Sequence, residues 1–151
     1  MIETFFYNIV AKRRIAMNIT KQVLSIKQMQ YLVNLGLDTS DATMCWIKTP
    51  KGREVAFNDD WTGRRESLLE PIPAYTLQDL LYKLPFKIET YWLEFGPNSP
   101  DKEDVEWYMK YDQIDPGRYL KYLTSINLID AAYEMLCWCI GKKHIKQERR
   151  K

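Results

Sequence analysis

The cysteines and the single histidine are the residues with the most reactive side chains in this sequence. Cys137 and Cys139 flank Trp138, and a pair of thiols can bind a soft metal or supply a nucleophile. On a helix, however, two residues that are two apart point about 200° away from each other. Cys45 and His144 are the remaining soft ligands, whereas a structural zinc site usually has two closely spaced pairs. We therefore predict buried thiols, no metal site and no cysteine nucleophile.

Carboxylates form three clusters along the chain. Paired carboxylates can hold Mg²⁺ or act as general acid and base when a rigid frame holds them close and partly out of water. These clusters fall mainly in predicted loops and at solvent-facing strand positions, where turn formation and solubility account for them. No GxxxxGK or GxGxxG phosphate-binding spacing occurs. We predict no catalytic residue and no cofactor, and a metal-dependent enzyme is the least favoured alternative. The clusters are Asp59-Asp60, Asp101 to Glu106, and Asp112 with Asp115.

Two helices are indicated by their caps. Ser25 and Gln28 have the spacing of a capping box, and Gly36 is placed to end the helix that follows. Thr76 is expected to cap a short helix over residues 77–84, which a proline then closes.

The last helix is apolar around most of its circumference. It is expected from about residue 126 to residue 140, with a cap at Thr124 or Ser125. Met135 and Trp138 extend its apolar surface beyond the stripe of residues that would face a core. The helix is therefore either central to the domain or presents an apolar strip to a partner. If these two side chains face solvent, they form the predicted partner-binding patch.

Two hairpins complete the expected fold. Residues 43–49 and 53–57 are strand formers on either side of a Pro-Lys-Gly turn, and residues 86–95 and 105–112 flank a loop with two prolines. The order is α-β-β-α-β-β-α. We predict the α+β class, with one antiparallel sheet of about four strands packed against two or three helices.

The composition is that of a globular protein. Apolar residues make up 46% and charged residues 28% of the 151 residues, which favours one folded domain over a disordered chain. No apolar run approaches the roughly 20 residues that a membrane helix needs. The odd number of cysteines fits a reducing compartment, so we expect a cytoplasmic protein without a membrane segment.

The net charge of +2 conceals a basic tail on an acidic body. Residues 142–151 hold six basic residues against one acidic residue, and residues 17–141 are net acidic. A surface that binds nucleic acid gathers positive charge on the folded face. Nucleic-acid binding is therefore the weaker alternative, and it would use Arg64, Arg65, Lys142, Lys143, Lys146, Arg149 and Arg150.

Residues 1–16 are expected to lie outside the native domain. The codons of Lys12 to Arg14 can form a purine-rich ribosome-binding sequence just before Met17. We expect translation to start at Met17, which makes residues 1–16 a non-native or disordered extension. The alternative is a start at Met1, with an amphipathic N-terminal helix or strand. The α+β domain would span residues 17–141.

Aromatic residues make up 13% of the chain. Rings such as Trp92 and Tyr108 could stack on bases, but the strands that carry them also carry Glu89, Glu94 and Glu106. Packing in the core and on the sheet is the better interpretation.

Three sequence runs resemble an uncharacterised family of small proteins from gut-bacterial genomes and their phages. They are LGLDTS at residues 35–40, PAYTLQDLL at residues 73–81 and LIDAAYEMLCWC at residues 128–139. The resemblance implies a phage or mobile-element setting and no catalytic residue. Together with the apolar last helix, it leads us to expect a non-enzymatic accessory protein that binds another protein or itself.

Overall fold

Helices and strands follow one another along the chain in the order of an α+β domain. The computed structural model describes residues 22–58, 70–98, 106–114 and 117–145. The helices are α1 (Ile26–Asn34), α2 (Leu77–Lys83) and α3 (Leu128–Gly141). The strands are β1 (Met44–Thr49), β2 (Gly52–Phe57), β3 (Ile72–Ala74), β4 (Lys87–Ile88), β5 (Tyr91–Pro97), β6 (Trp107–Asp112) and β7 (Tyr119–Ser125). The predicted α+β class is confirmed.

The first two helices begin at the predicted caps. Ser25 Oγ accepts a hydrogen bond from the backbone N–H of Gln28 at 3.2 Å, and Gln28 Oε1 accepts one from the backbone N–H of Ser25 at 3.0 Å. Thr76 and Asp79 form the same reciprocal pair at α2. Each pair satisfies two backbone donors that would otherwise lack a partner at the start of a helix.

The start of α3 differs from the prediction. The helix begins at Leu128, and its N-cap residue is Asn127, which makes no side-chain cap hydrogen bond. Thr124 and Ser125 are the last residues of β7, so they cannot also take the cap position. Ser125 Oγ instead accepts a hydrogen bond from the backbone N–H of Asn127 at 3.3 Å.

The two predicted hairpins lie in different sheets. A three-stranded sheet has the order β2-β1-β3, and a four-stranded sheet has the order β4-β5-β6-β7, with every neighbouring pair antiparallel. The prediction of one sheet built from both hairpins is wrong. It overlooked β7, and it read residues 86–95 as a single strand. The chain instead turns back at Glu89, whose φ is +54°, so that β4 pairs with β5.

The core is built around α3. This helix contacts α2, β6 and β7. Its buried side chains lie around much of its circumference, as the sequence indicated. They are Ile129, Ala131, Ala132, Met135, Leu136, Cys139 and Ile140. The four-stranded sheet supplies the opposite wall of this core through Met109 and Tyr111 of β6, both fully buried.

Asp79 connects α2 to the start of β1. Its Oδ2 atom accepts hydrogen bonds from Thr43 Oγ1 at 2.9 Å, from the backbone N–H of Thr43 at 3.3 Å and from the backbone N–H of Thr76 at 2.9 Å. The side chain is 8% exposed. A buried acceptor that serves several donors is costly to remove, because the donors lose their partner away from water.

We predict that Asp79→Ala lowers the free energy of unfolding by about 2–4 kcal/mol, since it removes a helix cap and leaves buried donors unpaired. Asp79→Asn keeps an oxygen acceptor and should cost less. Chemical denaturation followed by circular dichroism measures both changes. Glu134→Ala, at an exposed position on α3, is the control. Equal stability of Asp79→Ala and this control would contradict the assigned role.

Candidate functional site

The four-stranded sheet has one face packed on the core and one face that no described helix covers. Side chains on adjacent strand positions point to opposite faces. Leu93, Met109, Tyr111 and Leu123 point inward and belong to the main core. We call the opposite surface the outer face. It consists of Trp92 and Glu94 on β5, Tyr108, Lys110 and Asp112 on β6, and Tyr119 and Tyr122 on β7.

The strand register arranges the outer face in rows across the sheet. Lys110 lies between Glu94 on one neighbouring strand and Tyr122 on the other. In the next row Asp112 lies between Trp92 and Tyr119, at a register shift that leaves Leu120 without an opposite residue. Because directly opposed residues have Cβ atoms about 5 Å apart, each row forms one continuous strip.

Two tyrosine rings on the outer face are held in parallel. The rings of Tyr108 and Tyr122 have an interplanar angle of 5° and centroids 6.3 Å apart. The hydroxyl of Tyr108 donates to Glu94 Oε1 at 2.8 Å, and that of Tyr122 donates to Asn98 Oδ1 at 3.1 Å. A Cβ at Gly96 would lie 3.3 Å from the Tyr108 ring, so the glycine leaves room for this ring. These contacts hold both rings in place in the isolated chain.

Charges in the centre of the outer face are paired. Lys110 Nζ lies 2.7 Å from Asp112 Oδ2 and 3.7 Å from Glu94 Oε2. The hydrogen bond to Asp112 raises the pKa of Lys110 above its ordinary value, and the hydrogen bond to Glu94 raises that of Tyr108. Both groups keep their protons at neutral pH. The centre thus holds one lysine between two carboxylates, a net charge of −1, with fixed hydrogen-bonding groups.

A second aromatic group stands at the β4 end of the outer face. Trp92 is 43% exposed. Its ring lies 6.1 Å from that of Phe86, and Lys87 Nζ lies 4.9 Å from its centroid. The sequence favoured packing in the core and on the sheet for Trp92 and Tyr108. Trp92 contacts its neighbours on the sheet but remains 43% exposed, because its position on β5 alternates with the buried ones.

The cysteines are placed where their reactivity is suppressed. Cys45 and Cys139 are buried and Cys137 is half-buried, and all three are free thiols. Burial raises the pKa of each thiol, and it raises that of Cys139 to about 11. Since the thiolate is the nucleophile and the metal ligand, these residues lack the electropositive surroundings of a reactive cysteine. The prediction that Cys45 and Cys139 are buried is confirmed.

The carboxylates do not form a metal site in the described part of the chain. No group of three or more His, Cys, Asp or Glu residues there could hold an ion. Of the sequence clusters, Asp112 pairs with Lys110 on the outer face. Asp59, Asp60, Asp101 and Asp115 lie outside the described residues.

The predicted partner-binding residues lie on the inner side of the domain. Met135 is fully buried, so the solvent exposure on which that prediction depends is not met there. Trp138 is half-buried, with its ring 6.1 Å from that of Tyr111 and 5.1 Å from that of His144. The physical reason is that α3 is the central helix and is covered on more than one side.

Part of the predicted nucleic-acid set lies at the end of α3. Lys142 and Lys143 are exposed there, directly after the helix. Arg64, Arg65, Lys146, Arg149 and Arg150 lie outside the described residues, as do residues 1–21, which include the predicted extension and Met17.

Family models, curated proteins and solved structures give no match to this chain. Within the described ranges, no helix combines the length and the apolar character that crossing a membrane requires. The geometry of the outer face offers noncovalent contact, with flat aromatic rings around fixed hydrogen-bonding groups.

We predict that stability falls at alkaline pH because of the buried thiols. Above about pH 8.5 an unfolded cysteine loses its proton, whereas folded Cys139 keeps it until about pH 11. Ionisation therefore favours the unfolded state, by about 1.4 kcal/mol per pH unit for one such group. Urea denaturation at a series of pH values measures how steeply the free energy of unfolding falls with pH, which we call the alkaline slope.

Cys139→Ala supplies the comparison for this slope. It should lower stability at neutral pH, because it leaves a cavity, and it should reduce the alkaline slope because one titrating group is gone. An unchanged slope in this variant would show that the Cys139 thiol titrates alike in the folded and unfolded states.

Proposed function

We propose that this chain is a non-enzymatic accessory protein that binds another protein through the outer face of its four-stranded sheet. The observation that carries the proposal is the concentration of partly exposed, positioned aromatic rings on a face that no described helix covers. Trp92, Tyr119 and Tyr122 are 43%, 59% and 37% exposed. Contiguous exposed aromatic surface is a mark of interaction sites.

The residue types on the outer face suit a protein partner. Tyrosine and tryptophan are enriched at protein interfaces, where they bury a large area and carry a polar group that finds a partner. The hydrogen bonds of Tyr108 and Tyr122 hold their rings in place. Binding to rings that are already fixed costs little side-chain entropy. This surface replaces Met135 and Trp138 as the proposed contact region.

The charge on the outer face favours a protein over a nucleic acid. A groove for single-stranded nucleic acid combines stacking rings with unpaired positive charge along the backbone path. Here Lys110 is neutralised by Asp112 and Glu94. Lys87 lies beside Trp92 at the β4 end, but the centre of the face carries two carboxylates to one lysine, which disfavours a phosphate backbone.

The proposed setting is that of an accessory protein of a phage or mobile element in the bacterial cytoplasm. It rests on the resemblance of the PAYTLQDLL and LIDAAYEMLCWC runs. The odd cysteine count and the lack of a membrane-type segment in the sequence support the cytoplasmic part of the proposal.

We predict that Trp92→Ala removes specific partners while the fold is retained, because the ring stands on the surface and is not part of the core. The full chain and the variant are used as baits in extracts of the cells that express the protein, and bound proteins are quantified by mass spectrometry. The amount of each specific partner bound by the variant should be at least about 10-fold lower, as expected for a tryptophan that anchors an interface.

Tyr82→Ala is the matched control for this experiment. Tyr82 is an aromatic residue on α2 that is 81% exposed, away from the sheet. It should bind the same proteins as the original chain. Partners lost equally from both variants, or retained by both, would contradict the assignment of the outer face.

The alternative proposal is weak nucleic-acid binding by the basic tail. The exposure of Lys142 and Lys143 at the end of α3 supports it. It predicts affinity that falls steeply with salt and disappears on deletion of residues 142–151. Fluorescence anisotropy with labelled DNA and RNA measures both effects. Binding that survives the deletion would exclude the tail as its source.

A further inference from the structure

The two carboxylates at the centre of the outer face are not equally engaged. Lys110 Nζ lies 2.7 Å from Asp112 Oδ2, within hydrogen-bonding distance, but 3.7 Å from Glu94 Oε2. Glu94 Oε1 accepts the hydroxyl proton of Tyr108, whereas no described residue donates a hydrogen bond to Glu94 Oε2. The Glu94 side chain is 51% exposed. Lys110 therefore neutralises Asp112 first, and Glu94 carries the surplus negative charge.

This surplus charge stands beside the parallel rings of Tyr108 and Tyr122. Glu94 shares a row of the sheet with Lys110 and Tyr122, and its hydrogen bond to Tyr108 ties it to the other ring. A phenol that donates its proton to a carboxylate has a more electron-rich ring, which attracts a cation more strongly. An open acceptor and two electron-rich rings thus lie within reach of one incoming group.

Aromatic rings on the outer face already lie beside cations of this chain. Lys87 Nζ is 4.9 Å from the centroid of Trp92, and Lys110 Nζ is 5.6 Å from that of Tyr108. Both distances fall within the range of about 6 Å over which a ring attracts a cation. The charge of Lys110 does not repel a further cation here, because Asp112 and Glu94 outweigh it.

We propose that this position binds an arginine side chain of the partner protein. The guanidinium lies flat against the rings of Tyr108 and Tyr122 and donates a hydrogen bond to Glu94 Oε2. The inference rests on the proposed function and names the chemistry of the partner. Charge complementarity selects a cation, since the centre of the face has one carboxylate more than it has lysines.

The geometry of the rings selects arginine over lysine. The two ring planes agree within 5°, so one planar group can lie parallel to both. A guanidinium is planar and holds its donors in a fixed fork, whereas an ammonium is a compact and strongly hydrated charge. Tyr122 is 37% exposed and Glu94 is half-exposed, so a side chain from outside can reach both.

The test measures how the full chain binds three short peptides that differ in one side chain. They are acetyl-Gly-Xaa-Gly-amides in which Xaa is arginine, citrulline or lysine. Citrulline has nearly the shape of arginine without its charge, and lysine has the charge without the planar group. Titration followed by two-dimensional nuclear magnetic resonance gives each dissociation constant and the residues whose signals move.

The arginine peptide should bind at least about 3-fold more tightly than either of the others, as expected for a cation on a ring combined with an exposed ion pair. Its largest signal changes should lie at Glu94, Tyr108 and Tyr122. Equal dissociation constants for arginine and citrulline would overturn the proposal. Equal constants for arginine and lysine would overturn the role of the parallel rings.

Two variants locate the arginine preference. Glu94→Gln keeps the shape and the acceptor for Tyr108 but removes the charge, so the preference for arginine over citrulline should fall at least about 2-fold. Glu54→Gln, at an exposed position on β2 in the other sheet, is the matched control and should keep the full preference. A preference that survives Glu94→Gln unchanged, or falls equally in both variants, would contradict the site.

Failure of this inference is distinguishable from failure of the proposed function. If Trp92→Ala loses its protein partners while the three peptides bind alike, the outer face binds proteins through other chemistry, and only the arginine site is wrong. If the arginine preference is present and depends on Glu94 while Trp92→Ala keeps every partner, the site stands and the proposed protein-binding role of the face is wrong.

Discussion

The burial of α3 is the packing interaction on which the rest of the structure depends. Its side chains are apolar around most of the helix, so it is stable in water only when neighbours cover it on several sides. α2 contacts it, and β6 and β7 of the four-stranded sheet contact it too. Because α3 takes the inner face of that sheet, the outer face is left to aromatic and polar side chains that are positioned by strand alternation alone.

The LGLDTS, PAYTLQDLL and LIDAAYEMLCWC runs have structural roles in this packing. Tyr75 is fully buried, and its hydroxyl proton is shared between Asp41 Oδ1 at 2.8 Å and the backbone oxygen of Asp38 at 3.0 Å. Thr76 and Asp79 form a helix cap, and residues 128–139 supply most of the central helix. These runs build the domain. The proposed contact surface lies on strands outside them, so it could not be found by reading the runs as a functional motif.

Local signals in the sequence predicted local structure well. The capping boxes at Ser25 and Thr76 are determined by residues three apart, so they could be read directly. The turn at Glu89 carries none of the glycine or asparagine residues that commonly mark a positive φ, and it was missed. β7 was missed as well, and with it the distinction between two sheets, because strand pairing depends on residues far apart in the chain.

The outer face could be predicted only in part. Along β6, Met109 and Tyr111 alternate with polar or amphipathic residues in the sequence, and both are buried in the structure. The sequence did not show that Trp92, Tyr108 and Tyr122 would share one surface, since that depends on the order of β5, β6 and β7. Nor could it show that Met135 would be buried, since that depends on what packs around α3.

The central claim is that the outer face is open in the isolated chain and covered in the functional complex. Hydroxyl-radical footprinting, read residue by residue in the purified protein and in intact cells, tests it most directly. We expect rapid labelling of Trp92 and Tyr119 in the purified protein and several-fold slower labelling in cells, with Tyr82 labelled alike in both. Equal labelling of Trp92 in both settings would contradict the account.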